Sequence, residues 1–394
     1  MLQRRTLRVF RVALCHNRVV HKKTFRYRIY PTPAQERGLQ EALDECRWLY
    51  NKLLEERKNA YEQTGKGVSL YTQINRIVEL KGERESLKRV HSQVLQNVAV
   101  RLGLAFEAFF RRAKSGEKPG YPRFRGTNRY KSFTYPQSGF RVEGSRVFLS
   151  KIGHIRAVIH RLLEGAVKTT TVRRAPTGKW YVCFSCEVEP EPLPEESAEQ
   201  QVGIDVGLDS FATFSNGEKV PNPRFFREEE KALAKAQRLL SKAEKGTKER
   251  GRRRKVVARV HERVADKRRN FAHQASRRVV DDYGFIAVED LSVNRMNRNR
   301  CLAKGIMDAA WSEFARKLSY KAEYAGRELV KIDPAYTSQD CSNGCGYRRP
   351  MPLSERVYRC PECGLELDRD HNAALNILRV GLHSREPQAP KSPR

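Results

Sequence analysis

The first strong pattern in the chain is an alternation of apolar and polar side chains that changes to helical spacing. Phe25, Tyr27 and Ile29 alternate with polar residues, which predicts a strand that a proline ends. Thr32 and Pro33 favour the start of a helix directly afterwards. The apolar positions of this helix recur at steps of three and four: Leu39, Leu43, Cys46, Leu49 and Leu53. The pattern therefore predicts a strand followed by a helical region.

Residues 86–113 repeat the helical pattern, and residues 66–71 indicate a loop into a shorter helix between the two. The second strong helix has one apolar face: Leu87, Val90, Val94, Val98, Leu102 and Phe106. Short strands then continue to Val188 and include a hairpin with strands at 169–174 and 180–187. We expect a small β-barrel that a helical insert interrupts.

An acidic, proline-rich segment at 187–200 predicts an interdomain linker. From Val202 onward, strand and helix patterns alternate, which is typical of a new domain. Its predicted elements are a strand pair at 202–216, a basic helical stretch at 227–282, a strand at 285–288, a helix at 309–327, a cysteine-bearing insert and a helix at 370–380. The predicted fold class is a multidomain α+β and α/β protein.

Composition narrows the possible functions. The 394 residues include 77 Lys and Arg against 46 Asp and Glu, a formal net charge of +31, and 39% of the residues are hydrophobic. The length predicts two to three domains. The charge favours a polyanionic partner, because neutralising phosphates releases their counterions. No run of about 18 apolar residues without a charge occurs, which excludes a membrane-spanning protein.

The N-terminal segment and the cysteines indicate the cellular compartment in which the protein works. Residues 1–23 are an arginine-rich extension in which Arg8 and Arg11 interrupt any signal-peptide core. Nine cysteines in a chain of this length do not make a disulfide framework, and four of them lie together at metal spacing. We therefore expect a reducing compartment.

Three carboxylates far apart in sequence, Asp205, Glu289 and Asp370, lie where a predicted strand or helix meets a loop. Taken singly, Asp205 fits a turn and Glu289 an exposed strand end equally well. Asp368 competes with Asp370 as the third acid; we favour Asp370 because the small 373–374 pair would let its helix approach a sheet closely. Acids among aliphatic residues need a counter-charge. Together they predict a site for two Mg²⁺ ions about 4 Å apart in a nuclease or strand-transfer enzyme.

The cysteines near the C-terminus give the most specific local signal. Two pairs, fourteen residues apart, have the spacing of zinc knuckles: Cys341, Cys345, Cys360 and Cys363. Four thiolates leave no open coordination position, which favours structural Zn²⁺. A further pair, Cys183 and Cys186, falls in a predicted strand, where period two puts one side chain in the core and the other on the surface.

Residues 227–278 contain 19 Lys and Arg against 7 Asp and Glu, an excess of 12. Such a run is usually a solvated helical face, but here it includes a possible packing stripe: Leu239, Leu240, Val256, Val260, Val264 and Phe271. The remaining cations would then form a wall against phosphates. The absence of a His-x-His pair and of a Gly-rich Lys-Ser/Thr loop disfavours tyrosine transposases, relaxases and nucleotide hydrolysis.

Several motifs together resemble those of the TnpB (OrfB) family, which transposons encode and which is similar to the ancestors of type V CRISPR effectors. The C-terminal motifs are Gly-Ile-Asp-Val-Gly at 203–207, Val-Glu-Asp-Leu at 288–291, Thr-Ser-Gln-Asp-Cys at 337–341, Cys-x2-Cys-Gly at 360–364, and 368–377. The N-terminal motifs are Tyr-Pro at 30–31, Leu-Tyr-Asn at 49–51, Leu-Gln at 95–96 and Gly-Tyr-Pro-Arg-Phe at 120–124. The resemblance covers about residues 24–380. It departs from the family pattern at 342–344, where three residues separate the first two cysteines and the family usually has two.

The resemblance implies an RNase H-like RuvC nuclease domain with an inserted zinc ribbon, and an N-terminal β-barrel (wedge) domain with a helical recognition insert. It makes Asp205, Glu289 and Asp370 the catalytic acids and Mg²⁺ ligands, and the four cysteines the Zn²⁺ ligands. The expected boundaries are a basic extension at 1–23, the wedge domain at 24–31 and 119–188, the recognition insert at 32–118, a linker at 189–200, the RuvC-like domain at 201–335 and 366–380, the zinc ribbon at 336–365, and a disordered tail at 381–394.

The activity implied is RNA-guided cleavage of double-stranded DNA beside a short transposon-adjacent motif, with a guide RNA derived from the transposon end. We expect one protein per guide RNA, no membrane partner, and a prokaryotic cytoplasmic location, on the nucleoid when DNA is bound. The resemblance points to nucleic-acid contacts at Tyr71, Ser92, Gln96 and Thr134, and we add the cations Lys131, Arg252, Arg253 and Arg254. Two alternatives stay open: an RNA-guided DNA-binding regulator without cleavage, and a DNA transposase.

Overall fold

The computed structural model describes residues 21–127, 129–189, 193, 199–291, 300–352 and 354–385, with the side chains of all but 300–302. The chain separates into two compact units, Met1–Glu189 and Pro190–Arg394. Most of the predicted basic extension, most of the predicted linker and the tail from residue 386 lie outside the described residues. The finer domain boundaries expected from the sequence remain predictions.

The first unit begins with the predicted strand and helix, β1 (His21–Tyr30) and α1 (Pro33–Thr64). A capping box fixes the helix start, because the Gln35 N–H donates to Thr32 Oγ1 and the Thr32 N–H donates to Gln35 Oε1. All five predicted apolar positions of α1 are buried. The strand begins at His21, so residues 21–23 pair with a neighbouring strand and are not part of an extension.

The predicted second helix is interrupted. The shorter helix predicted before it is α2 (Leu70–Glu83). The predicted helix at 86–113 then starts as a 3₁₀ turn (Glu85–Arg89), and α3 (Ser92–Lys114) begins six residues after the predicted start. Val90 and His91 have extended backbone angles, which end one helical segment and begin the next. The six apolar side chains of the predicted face are nevertheless all buried. The periodicity therefore identified the buried face but not the break in the backbone.

Seven antiparallel strands form the sheet of the first unit. After β1 they are β2 (Ser132–Tyr135), β3 (Phe140–Glu143), β4 (Arg146–Leu149), β5 (Gly153–Val158), β6 (Ala166–Arg174) and β7 (Trp180–Val188), in the order β2-β6-β7-β1-β5-β4-β3. The Tyr135 hydroxyl at edge strand β2 donates to the carbonyl oxygen of Ser150, after β4, over 2.9 Å, so the sheet curves into a nearly closed barrel. Cys186 is buried and Cys183 half-buried on the opposite face, as predicted.

A five-stranded mixed sheet forms the centre of the second unit. Its strands are β8 (Gln201–Asp205), β9 (Ser210–Phe214), β10 (Lys219–Pro221), β11 (Phe285–Glu289) and β12 (Glu328–Ile332), in the order β10-β9-β8-β11-β12. Strands β8, β11 and β12 are parallel, whereas β9 runs antiparallel to β8 and β10 to β9. The predicted strand pair and the strand at 285–288 are confirmed; β10 and β12 were not predicted.

Two predicted helices of this unit are each divided in two. The basic stretch consists of α4 (Phe225–Lys242) and α5 (Lys248–Asp282), because Thr247 caps the start of α5 by accepting a hydrogen bond from the Arg250 N–H. The predicted helix at 309–327 begins only at Trp311. Ala310 has a left-handed backbone (φ 56°) and separates α6 (Arg300–Ala309) from α7 (Trp311–Tyr324).

The predicted packing stripe of the basic stretch is only partly buried. Val260 and Val264 lie in the core, whereas Leu239 and Val256 are each 39% exposed. The last helix is α8 (Arg369–His383), which begins one residue before and ends three residues after the predicted helix. Residues 381–383, predicted to belong to a disordered tail, are therefore helical. None of the described helices has the length and apolar character needed to cross a membrane.

The two faces of the second sheet pack against different helices. Four strand side chains pack with α5 and α7: Val202, Ile204, Ile286 and Val288. On the opposite face, Phe285 and Ala287 pack with Ile377 of α8. Because successive side chains of a strand point to opposite faces, Asp205 and Glu289 lie on the α8 face. The fold therefore directs these two predicted acids towards the helix that carries the third.

Candidate active site and metal centre

Two of the predicted acids lie at the ends of neighbouring parallel strands. Asp205 ends β8 and Glu289 ends β11, and the register pairs Ile204 with Val288 directly before them. Both side chains are half-buried. Parallel strands end at the same edge of a sheet, so two acids distant in sequence become neighbours.

Helix α8 approaches this face closely because two glycines leave room for it. A Cβ atom on Gly203 would lie 2.1 Å from the carbonyl oxygen of Ala374, and one on Gly381 would lie 2.6 Å from Ala287 Cβ. Ala373 and Ala374 are buried at this contact. The close helix–sheet approach expected from the alanine pair is therefore present, and it also requires the strand glycine.

The first turn of α8 brings the third acid to the same place. Asp370 Oδ2 lies 3.7 Å from the position that a Cβ atom of Gly207 would take, two residues after Asp205. His371 Nε2 lies 3.0 Å from the carbonyl oxygen of Ser215, which holds this turn against the hairpin after β9. The three carboxylates therefore converge at one end of the sheet.

Burial and mutual repulsion oppose the ionisation of the three acids. Burial raises the pKa of Asp205 well above its usual range, and the negative charges of Glu289 and Asp370 raise it further. Burial also raises the pKa of Glu289, and burial together with the charge of Asp368 raises that of Asp370. A divalent cation between the carboxylates would offset both the desolvation and the repulsion.

Asp368 and Asp370 have different environments. Asp368 is the N-cap of α8, where it accepts hydrogen bonds from the N–H groups of Asp370 and His371, and its carboxylate pairs with Lys219 over 2.8 Å. Burial acts to raise the pKa of Asp368, but the hydrogen bonds and the charge of Lys219 lower it below the ordinary value. Within the described residues, no donor hydrogen-bonds to the Asp370 carboxylate. These contacts support Asp370 as the third ligand.

A threonine from the loop before the cysteines orients the second acid. Thr337 Oγ1 donates to Glu289 Oε1 over 2.6 Å. The side-chain amide of Asn376 in α8 donates to the carbonyl oxygens of Thr337 and Asp340, at 2.9 and 2.7 Å. Thr337 and Asn376 lie in the family motifs, but sequence reasoning gave neither a role. The structure adds them as positioning residues.

A cavity of about 360 Å³ adjoins Glu289. Its walls include the apolar side chains of Ile204, Val288 and Trp311 together with the cations Arg316 and Lys331. Asp290 also lines the cavity and pairs with Lys331 at 4.0 Å, and the apolar walls belong to the sheet face opposite α8. Sequence reasoning did not find Arg316 or Lys331, which lie outside the basic stretch.

The cysteine insert contains a short hairpin, β13 (Val357–Arg359) and β14 (Glu366–Asp368). The four predicted cysteines converge there, with all sulfur atoms within 4.8 Å of one another. The Sγ atoms of Cys341 and Cys363 lie 3.6 Å apart, and those of Cys345 and Cys360 lie 3.5 Å apart. A tetrahedral Zn²⁺ site with Zn–S bonds of about 2.3 Å has sulfur–sulfur distances of about 3.8 Å. The cluster can therefore hold zinc.

Local backbone geometry supports this fit despite the longer first knuckle. The backbone N–H groups of Tyr347 and Leu365 donate to the sulfurs of Cys345 and Cys363, two residues before each. Gly346 and Gly364 follow those cysteines with left-handed φ angles of 81° and 70°. Such a turn points backbone donors at a thiolate and stabilises its charge. The extra residue in the first knuckle does not prevent the cluster from forming.

Comparison with known proteins identifies the family. Residues 183–300 match a family model described as "Probable transposase" (OrfB of the IS605 type), residues 311–377 match a Cas12f1-like TNB domain, and residues 21–66 match an OrfB helix-turn-helix domain. A relative from Streptomyces pristinaespiralis, described as "Putative RNA-guided DNA endonuclease", is 38% identical over 92% of this chain and 90% of its own length. InsQ of Escherichia coli K12, with the same description, is 31% identical over 91% of this chain and 92% of its own length. The chain belongs to the TnpB (OrfB) family.

Solved structures extend this TnpB assignment to the fold. A structure of a Cas12f1–sgRNA–target DNA complex matches with a TM-score of 0.57 at 14% identity, over 91% of this chain and 98% of that one. A structure of the mini RNA-guided endonuclease Cas-phi3 matches with a TM-score of 0.50 at 10% identity, over 94% of this chain and 93% of that one. At these identities the likeness concerns the fold alone.

The TnpB resemblance also pointed to nucleic-acid contacts in the first unit. Tyr71 is 74% exposed, and Ser92, Gln96 and Lys131 are exposed as well. Thr134 differs, because its half-buried hydroxyl lies 2.6 Å from Arg101 Nη2 and 2.8 Å from Thr171 Oγ1. All five remain predictions, and Thr134 also holds α3 against the sheet.

The three arginines predicted to bind nucleic acid in the second unit lie in the first turns of α5. Arg252 and Arg253 pair with Glu249, at 3.8 and 2.6 Å. Arg254 is exposed and forms no ion pair with the described residues. Of the three, Arg254 has the charge most available to a phosphate.

Proposed function

We propose that this protein is an RNA-guided endonuclease that cleaves double-stranded DNA at a single Mg²⁺-dependent acidic site. The observation that carries the proposal is the convergence of Asp205, Glu289 and Asp370 on the α8 face of the second sheet. Two relatives that match over nine tenths of the chain are described as RNA-guided DNA endonucleases, which supports the same activity here.

The residues around the site have distinct roles in this proposal. The three carboxylates hold Mg²⁺, which when bound activates the attacking water and stabilises the leaving oxygen of a phosphodiester, as two ions do in other nucleases. Thr337 orients Glu289 through its hydroxyl. The cysteines hold a structural Zn²⁺.

The strand order and the cysteine hairpin support the assignment of individual domains. The order β10-β9-β8-β11-β12, with β9 antiparallel and β11 and β12 parallel to β8, supports an RNase H-like RuvC domain. The cysteine hairpin supports a zinc ribbon, and the nearly closed sheet with α1 to α3 supports a wedge barrel with a recognition insert. We further propose a guide RNA from the transposon end, a short adjacent DNA motif, and action on the nucleoid in a prokaryotic cytoplasm.

A cleavage assay with the co-purifying RNA tests the function. The RNA bound to the purified full chain is sequenced, and the protein is then incubated with a plasmid library that contains the matching target. We expect linear product in Mg²⁺, and none in EDTA or after the RNA has been digested. Specific binding without any cutting would replace the proposal with a DNA-binding regulator. Strand-transfer products without RNA would instead favour the transposase that the first family description names.

A further inference from the structure

A basic loop in the first unit carries charge that the described residues do not neutralise. Residues 118–131 include five Lys and Arg and no Asp or Glu. Four of these cations are exposed and form no ion pair with the described residues: Arg123, Arg125, Arg129 and Lys131. The nearby α2 region differs, because Arg76 pairs with three glutamates and Arg84 with a buried one. The loop charge is therefore available to an external anion.

The described part of this loop has almost no regular secondary structure, yet it is held in place at several points. The Asn51 side-chain amide makes two hydrogen bonds with the Arg125 backbone. Its Nδ2 donates to the Arg125 carbonyl oxygen over 3.0 Å, and its Oδ1 accepts from the Arg125 N–H over 2.7 Å. The Tyr121 ring packs edge-on against Phe106 and Phe109, each at 5.5 Å between centroids. These contacts anchor the loop on both sides of Arg123 and Phe124.

Phe124 lies between the anchors and is 55% exposed. A cation precedes and follows it in sequence. An exposed aromatic ring on a loop with exposed cations is a surface on which a nucleobase can stack while neighbouring phosphates meet the cations, here Arg123 and Arg125. The Arg125 guanidinium lies over the Tyr50 ring, 5.4 Å from its centroid. Holding the loop in advance lowers the entropy lost when a ligand binds.

We propose that this loop binds an unpaired nucleotide of the guide RNA, with the base stacked on Phe124 and the flanking phosphates on Arg123 and Arg125. The proposal rests on the proposed function for the existence of a guide. RNA fits better than an intact DNA duplex, because the bases of a duplex are already stacked on one another. A folded RNA presents unpaired bases whose faces are open.

The test measures RNA affinity and does not depend on cleavage. The co-purifying RNA is transcribed in vitro, and its dissociation constant is measured for full-length Asp205→Ala, with and without Phe124→Leu or Arg123→Gln. We expect Phe124→Leu to weaken RNA binding about ten-fold or more and Phe124→Trp to restore it. We expect Arg123→Gln to weaken binding and to reduce the salt dependence by roughly one phosphate contact.

Two matched substitutions control for exposure and charge. Phe110→Leu removes an aromatic ring that is 51% exposed on α3, and Arg89→Gln removes a cation that Glu41 already pairs. Both should leave RNA affinity within about two-fold of the parent, the range of a surface change. The proposal is overturned if Phe124→Leu has no larger effect than Phe110→Leu. It is also overturned if Phe124→Leu weakens only target DNA binding by the preformed complex, which would assign the loop to DNA. If the protein with an intact Asp205 binds the RNA but does not cut the matching DNA in Mg²⁺, the proposed function alone is contradicted.

Discussion

The cysteine cluster and the acidic cluster differ in chemistry although both depend on α8 and the loop before it. The four sulfurs lie within 4.8 Å of one another and complete a tetrahedral shell, so a metal held there has no position left for water. The three carboxylates are half-buried hard ligands with raised pKa values, and they leave positions open to water and substrate. This difference supports our proposal of one closed centre for structure and one open centre for reaction.

Two asparagines of α8 connect these centres. Asn372 Nδ2 donates to the Asp340 carbonyl oxygen, and Asn372 Oδ1 accepts from the Ser342 N–H in the first knuckle. Asn376 donates to the carbonyl oxygens of Thr337 and Asp340. Order in the cysteine insert therefore supports the threonine that orients Glu289. We expect loss of zinc to disturb both centres and loss of Mg²⁺ to disturb only one.

Removing a zinc ligand has the largest expected effect. Cys360→Ser should abolish zinc binding, which is worth on the order of 10 kcal/mol in zinc-finger peptides, and should lower the thermal stability of the second unit. Metal analysis by mass spectrometry should give one zinc per wild-type chain and none per variant. Cys183→Ser, in β7 of the first unit, is the control and should keep its zinc. A Cys360→Ser protein with one zinc would contradict the closed centre.

Removing one carboxylate comes next. Asp205→Ala should slow DNA cleavage roughly 1,000-fold, about 4 kcal/mol of barrier, while RNA binding and zinc content stay unchanged. The control is Asp209→Ala, four residues after Asp205 in the chain. It removes an exposed acid whose ion-pair partner is Arg356. Cleavage by Asp205→Ala at the rate of the control would break the distinction between the two centres.

The connection between the centres predicts a smaller effect. Thr337→Val removes the hydroxyl that donates to Glu289 and should slow cleavage about ten-fold, since a hydrogen bond to a charged group is worth about 1.5–3 kcal/mol. Burial raises the pKa of Glu289 and this hydrogen bond opposes the rise, so the acidic limb of the pH–rate profile should move to higher pH in the variant. Thr337→Ser should restore both. A slower variant with an unshifted profile would reduce Thr337 to a packing role.

The smallest expected effect is on the stability of the metal-free protein. Because the pKa of Asp205 is raised in the folded state, its ionised form destabilises the fold, and this cost appears as pH rises above the unfolded pKa. Asp205→Asn should therefore raise the melting temperature at pH 7 by roughly 2–4 °C, for about 1 kcal/mol. Added Mg²⁺ should stabilise the wild type more than the variant. A variant that melts lower without metal would contradict the repulsion.

Sequence patterns predicted the buried faces and the positions of the main strands because both follow from local periodicity. Leu39 to Leu53 on α1 and the alternation in β1 are examples. The same periodicity continues through short interruptions, so the breaks at 90–91, 243–247 and Ala310 were missed. Their causes are single backbone angles and caps, which a hydrophobic pattern does not record.

The acids and cysteines could be predicted because each has an unusual residue type at a recognisable place. The positioning residues could not, since their roles depend on contacts between distant segments. Thr337 meets Glu289 only because Asn376 holds its loop, and Gly203 is needed only because α8 crosses β8 at that point. The contact that anchors the loop beside Phe124 likewise joins distant segments, Asn51 and Arg125.

The most direct test of the acidic centre is to locate a metal in it. Mn²⁺, which prefers the same oxygen ligands as Mg²⁺, can be identified by its anomalous scattering in crystals of the full chain with its RNA. We expect Mn²⁺ bound by Asp205, Glu289 and Asp370, with Asp368 still paired to Lys219, and loss of the signal in Asp205→Asn. Mn²⁺ bound through Asp368, or a signal unchanged in the variant, would contradict this expectation.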